Sequence, residues 1–104
     1  MNKEQLSDNV TRTAILIRKA KEQKKMFNDL YEFFEFQKTE PTEQAKKLSD
    51  SERFGIIQDA QDKLIQGIQN VDKELQKLKQ TYIEHGLEVV YNTAETFERD
   101  FLPK

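Results

Sequence analysis

The sequence predicts an all-α protein, an antiparallel bundle of three or four helices in which one long helix carries a heptad pattern. From Phe54 to Tyr82, apolar side chains recur at alternating intervals of three and four residues for about four heptads, as in coiled-coil and long bundle helices. Glycine (3) and proline (2) are scarce, which argues against a turn-rich β fold. The seven phenylalanines and three tyrosines argue against disorder, because disordered segments contain few aromatic residues.

The heptad pattern defines the long helix, predicted over residues 50–85. Its apolar seam consists of Phe54, Ile57, Gln61, Leu64, Ile68, Val71, Leu75, Leu78 and Tyr82. Within the seam, the positions expected among the most buried are Leu64, Ile68, Val71, Leu75 and Leu78. Ser49 followed three residues later by Glu52 is the pattern of a capping box, which places the helix start near residue 50. Small residues at Ala60 and Gly67 allow a neighbouring helix to approach closely, which favours a multi-helix bundle over a two-stranded coil.

The first helix is predicted over residues 3–38. Asn2 with Gln5, or Ser7 with Asp8, can form its N-terminal cap. Its apolar stripe consists of Leu6, Val10, Ala14, Ile17 and Ala20. The helix must end near Pro41, because the residue before a proline is disfavoured in the α conformation.

Two shorter elements complete the prediction. Residues 42–48 form a surface connector with a short helix, since their apolar content is low. Gly86 lies where the heptad frame changes, and glycine commonly ends a helix, so we expect a turn there and a last helix over 87–102. A continuous helix with a kink at Gly86 is one alternative, and a last helix that starts near Thr93 is another, since Asn92 with Glu95 also has the pattern of a capping box. The apolar stripe of the last helix consists of Leu87, Val90, Ala94, Phe97 and Phe101.

Length and composition predict a single domain over residues 1–104. Apolar residues make up 36% and charged residues 35% of the chain, against about 45–50% and about 25% in average globular domains. Such a polar chain covers less of its own apolar surface, so we expect a protein partner or a homodimer. There is no cysteine, no signal-peptide pattern and no apolar run of membrane-spanning length, which predicts a cytoplasmic protein that does not bind a membrane.

An unusual density of aromatic residues lies in residues 26–36, with Tyr31, Phe33, Phe34 and Phe36 within two turns of helix. Successive helical residues are about 100° apart, so these rings point nearly all round the helix. One interpretation places this turn at the centre of the bundle. The other makes it an exposed surface for a protein partner, because Tyr and Phe are enriched at interface cores.

A basic stretch in the first helix is the second candidate surface. Arg18, Lys21 and Lys25 share one face at i, i+3 and i+7. This face can be simply solvated, can dock on an acidic protein surface, or can contact phosphates. Nucleic acid is the least favoured partner, because the net charge is −2 and Glu22 interrupts the patch.

No pattern of catalytic or ligand-binding residues is present, so we predict no enzyme, no cofactor and no metal. His85 is the only histidine, and no second histidine or cysteine stands at ligand spacing. It is expected to be a residue at the C-terminal end of a helix, where the helix dipole favours an imidazolium. Gly-rich phosphate loops, the nucleophile elbow and EF-hand loops are also missing from the sequence.

In size, in its lack of catalytic motifs and in its helices rich in Lys, Glu, Gln and Asn, the chain resembles the small helical proteins with which bacteriophages inhibit host machinery, including replication factors. The resemblance lies in the general character of the whole chain and carries over no individual residue. It implies a larger host protein held inactive by an occupied surface, bound through residues 31–36 or 18–25. A self-associating scaffold or head-tail protein is the alternative, and a nucleic-acid-binding accessory protein is the third hypothesis.

Overall fold

A computed structural model describes residues 2–103 and shows an all-α protein. The helices are α1 (Lys3–Thr39), α2 (Asp50–Glu84) and α3 (Glu88–Asp100), and a single 3-10 turn, Ala45–Lys47, lies between the first two. No strand occurs within residues 2–103. The predicted fold class is therefore confirmed. The 3-10 turn is shorter than the helix predicted over 42–48, because only one turn forms before the chain extends at Leu48.

The helix ends follow local sequence signals. Asn2 and Gln5 cap α1 reciprocally, since each backbone N–H donates to the other's side-chain oxygen, at 3.3 and 2.8 Å. At the start of α2, the backbone N–H of Glu52 donates to Ser49 Oγ at 3.2 Å.

Gly86 separates α2 from α3, so the prediction of a turn is confirmed over that of a kinked continuous helix. Its φ is +71°, a conformation that costs little only for glycine. The N–H of Leu87 donates to Tyr82 O at 2.8 Å, and that of Gly86 donates to Ile83 O at 3.0 Å. This pair of bonds is the Schellman motif.

The chain divides into two compact units, and both α1 and α2 contribute to each. We call residues 2–22 with 71–103 the terminal unit, and residues 23–70 the connector unit. The prediction of a single domain over 1–104 stays a prediction.

The terminal unit has a core shared by its three helices. Its buried residues are Val10, Ala14, Ile17, Val90, Tyr91 and Ala94, and Leu75, Leu78, Tyr82, Leu87, Phe97 and Leu102 pack against them. Thr13 Oγ1 and Tyr82 Oη are hydrogen-bonded at 2.6 Å, and the rings of Tyr82 and Tyr91 meet edge to face at 5.7 Å between centroids. The stripes predicted for the first and last helices therefore meet here, although Leu6 and Phe101 at their ends are exposed.

The connector unit consists of the second half of α1, the connector and the first half of α2. The two helices run antiparallel, because Phe27 contacts Gly67 while Tyr31, further along α1, accepts a hydrogen bond from Gln61. A Cβ at residue 67 would lie 3.0 Å from Phe27 Cε2. The glycine therefore allows the close approach expected from the sequence.

The burial expected along the heptad seam is correct only in part. Val71 is buried, whereas Leu64, Ile68, Leu75 and Leu78 are half-buried. The most deeply covered seam position is polar Gln61, with 1% of its surface exposed. In the connector unit, which holds Leu64 and Ile68, two helices packed side by side cover only part of an apolar stripe about 100° wide, so positions at its margins stay partly open.

Candidate functional site

The connector unit contains an open apolar groove with a volume of about 270 Å³. It lies between the end of α1, the connector and the start of α2. The groove is lined by Phe33, Phe34, Gln37, Thr42, Ala45, Leu48, Arg53, Ile56 and Ile57. Ile57 is buried, whereas Phe33 and Ile56 have 52% and 59% of their surfaces exposed. The groove is therefore bordered by large apolar side chains that are exposed to solvent.

Hydrogen bonds hold the connector wall of this groove in place. Pro41 follows the last turn of α1 and prevents the helix from continuing. The N–H of Thr42 then donates to Gln37 Oε1 at 3.3 Å, and Thr42 Oγ1 accepts from the N–H of Ala45 at 3.2 Å. The connector is therefore tied to α1 and to itself, and Leu48 follows immediately after its 3-10 turn.

Of the four aromatic residues predicted as a candidate surface, two line the groove and two do not. Phe33 and Phe34 line the groove, with their rings edge to face at 5.8 Å between centroids. Phe36 is exposed outside the groove lining, and Tyr31 is half-buried. The interpretation that this turn is enclosed at the centre of a bundle is wrong for Phe33 and Phe36. Only two helices and the connector form this unit, and they do not surround α1.

Arg53 is the only ionisable residue among the nine that line the groove. Its Nη2 lies 3.1 Å from Asp50 Oδ1 in an ion pair, and its guanidinium carbon lies 5.1 Å from the centre of the Phe54 ring. Its Nε is buried and has no hydrogen-bond partner. A cation in the first turn of a helix is unfavourable with the helix dipole, and the i, i+3 ion pair with Asp50 offsets part of this effect.

The basic residues Arg18 and Lys21 bind a carboxylate of their own chain. Arg18 Nε donates to Glu98 Oε1 at 3.0 Å and Lys21 Nζ donates to Glu98 Oε2 at 2.9 Å. The Arg18 guanidinium also donates to the carbonyl oxygens of Glu98, Leu102 and Pro103 at the end of α3. These contacts stabilise the helix end in the terminal unit. Lys25 is exposed, and a role for it in binding stays a prediction.

Glu98 is buried, with 3% of its surface exposed. Desolvation acts to raise the pKa of its carboxyl group, but the hydrogen bonds and charges of Lys21 and Arg18 outweigh it and hold the pKa below its ordinary value. The carboxylate is therefore ionised at neutral pH and neutralised inside the terminal unit. A phosphate or acidic partner at this face would have to compete with Glu98 for both cations.

No family model, curated protein or solved structure matches this chain.

Within residues 2–103, no three His, Asp or Glu side chains are grouped closely enough to hold a metal ion. His85 is exposed at the end of α2, where its Nδ1 lies 2.8 Å from Thr81 O. In the same part of the chain, no helix combines the length and apolar character needed to cross a membrane.

Of the nine residues that line the groove, only Phe33 and Phe34 were predicted as site residues from the sequence, and the missed residues include Leu48, Arg53 and Ile56. For Ile56, the sequence did contain a signal, because it stands directly before Ile57 of the heptad seam. Neighbouring residues of a helix are about 100° apart, so only one of the two can lie in the seam and the other must face elsewhere. Leu48 carried no such signal, because its position depends on how the connector folds.

Proposed function

We propose that this chain is a non-enzymatic protein-binding module that regulates or inhibits a partner protein by way of the apolar groove. The observation that supports this proposal is the exposure of Phe33 and Ile56 at the rim of a concave surface, with Leu48 between the two helices also exposed. Single exposed apolar residues are normal on protein surfaces. Their grouping around a groove is typical of sites that receive an apolar segment of another protein.

The inhibitory part of the proposal rests on the resemblance to small phage proteins that act on host machinery. A chain of 104 residues without catalytic motifs can regulate a larger protein only by occupying its surface or changing its conformation. The proposed partner is therefore a larger host protein, and the groove is the surface that engages it.

Affinity capture from a nuclease-treated bacterial lysate tests the binding. The wild-type chain, Phe33→Ser and Val89→Ser serve as baits and are washed at low and then high salt. Val89 is the matched control, because it is an exposed apolar residue (75%) in the other unit. We expect one host protein in stoichiometric amount on wild type and on Val89→Ser, and at least a tenfold loss on Phe33→Ser, the equivalent of about 1.4 kcal/mol. Equal recovery on all three baits would exclude the groove as the binding site.

The inhibitory role is tested by expressing the same three chains in bacteria. Wild type and Val89→Ser should slow growth and DNA synthesis, and Phe33→Ser at the same expression level should not. Binding without any effect on growth would contradict the inhibitory role and leave the binding role in place.

Self-association in a structural assembly is the second candidate function. Met26, Leu30 and Phe33 are all exposed and lie at i, i+4 and i+7 on one face of α1. An apolar stripe of this kind can pair with the same stripe of another copy. Sedimentation equilibrium separates the two functions: a mass that rises continuously with concentration and is reduced by Met26→Ser supports assembly, whereas a defined monomer or dimer supports the binding module.

A further inference from the structure

We propose that the groove receives an amphipathic helix of the partner that carries a carboxylate side chain next to its apolar residues, and that Arg53 binds this carboxylate. The inference rests on the proposed function, in that the groove binds a protein. It goes further by stating the chemistry of the segment that is bound.

Arg53 presents an edge of its guanidinium that is only half used. Nε and Nη2 lie on the same edge of the group, and a carboxylate can accept from both at once in a bidentate pair. Asp50 takes only Nη2, at 3.1 Å, while Nε has no partner. A donor that is both buried and unpaired is unfavourable, so an acceptor on this edge gains more than one at an exposed arginine.

A partner carboxylate can replace Asp50 in its ion pair with Arg53. The side chain of Asp50 is 82% exposed, so the aspartate loses little when it returns to water. The side chain of Arg53 is only 12% exposed, so the arginine needs another acceptor in its place. The arginine then makes two hydrogen bonds to the partner in place of one ion pair with Asp50.

The other residues that line the groove indicate that the partner segment also carries apolar side chains. Arg53 is its only ionisable residue, and Phe33, Leu48 and Ile56 provide exposed apolar surface beside it. A phosphate or a nucleic acid would satisfy the arginine but leave this apolar surface uncovered. A helix with apolar residues at i, i+3 or i+4, and an Asp or Glu among them, covers both kinds of surface, as in other helix-in-groove complexes.

Selection from a random peptide display library tests this chemistry without knowledge of the partner. The wild-type chain of residues 1–104 is the target, and parallel selections use Arg53→Met and Lys63→Met. Lys63 is the matched control because it is also an ion-paired cation of α2, bonded to Asp59 at 3.2 Å, and does not line the groove. Wild type and Lys63→Met should enrich peptides with an acidic residue within one helical turn of apolar residues. Arg53→Met should enrich apolar peptides without the acidic preference.

Synthetic versions of the enriched peptides then give dissociation constants by fluorescence anisotropy. Replacing the acidic residue by its amide should weaken binding to wild type about tenfold, and should change binding to Arg53→Met less than twofold. Asp50→Asn removes the internal competitor and should tighten binding of the acidic peptide roughly threefold. The amide peptide should bind Asp50→Asn and wild type equally, because apolar surface exposed by misfolding would tighten the binding of both peptides.

Three outcomes overturn the inference. In the first, acidic and amide peptides bind wild type equally well but lose affinity on Phe33→Ser, so the groove binds apolar segments and the proposed function stands alone. In the second, the enriched peptides bind Phe33→Ser as tightly as they bind wild type. The groove is then not the binding site, which contradicts both the proposed function and this inference. In the third, no peptide is enriched on a folded wild-type chain.

Discussion

Replacing Gln61 by leucine should raise the stability of the chain, although Gln61 is the most deeply buried position of the heptad seam. Its Nε2 donates to Glu35 Oε1 at 2.9 Å and to Tyr31 O at 3.3 Å. Its Oε1 is buried and has no hydrogen-bond partner. The side chain thus combines two donated bonds with an unsatisfied acceptor.

The effect of Gln61→Leu on the free energy of unfolding is the sum of what each polar atom of Gln61 gains or loses. A buried acceptor without a partner costs about 1–3 kcal/mol, and leucine removes it while filling a similar volume. The lost bond to Glu35 costs less than the unsatisfied acceptor does, because that carboxylate is half exposed and also accepts from Lys38 at 2.8 Å. Tyr31 O lies inside α1, where the helix supplies its own donor. The expected net gain is about 1 kcal/mol, or about 4–8 °C in Tm.

Urea unfolding followed by far-UV circular dichroism measures this difference, with Gln61→Ala as the control. Alanine also removes the unsatisfied acceptor but leaves a cavity, so it should be about 2–3 kcal/mol less stable than leucine at this position. If Gln61→Leu is instead less stable than wild type by 1 kcal/mol or more, Oε1 has a partner in the folded protein, such as a buried water, and the reasoning is refuted.

Three further predictions concern stability. Glu98→Gln should lower the free energy of unfolding by about 3 kcal/mol at neutral pH, because it leaves two cations without their buried carboxylate. The folded-state pKa of Glu98 lies below 4.5, so this difference should be present above pH 4.5 and disappear as pH falls through the lowered pKa. Urea unfolding from pH 7 to pH 3 measures it. Gly55→Ala should stabilise the folded chain by about 0.5–1 kcal/mol, because there is open space around the new Cβ. Gly67→Ala should not show this gain, because its Cβ would lie 3.0 Å from Phe27. Equal shifts in Tm for the two variants would contradict the close contact. Gly86→Ala should cost about 1 kcal/mol in thermal unfolding because its φ is +71°, and an unchanged Tm would show that this turn relaxes freely.

The helices and their ends can be derived from the order of the residues alone. The caps at Asn2 and Ser49 and the turn at Gly86 depend on hydrogen bonds that span three to five residues, so the residues responsible stand close together in the chain. The heptad periodicity likewise depends only on the geometry of one helix.

Which side chains are covered and which charges are paired depends on how the helices pack in three dimensions. Phe54 and Gln61 belong to the same heptad frame, yet the phenylalanine is exposed and the glutamine is buried, because coverage depends on the neighbouring helix. Arg18 and Glu98 are 80 residues apart in the chain, and no local pattern indicates their pairing. The groove beside Arg53 likewise forms only when the connector folds between two helices, so its chemistry was not visible in the sequence.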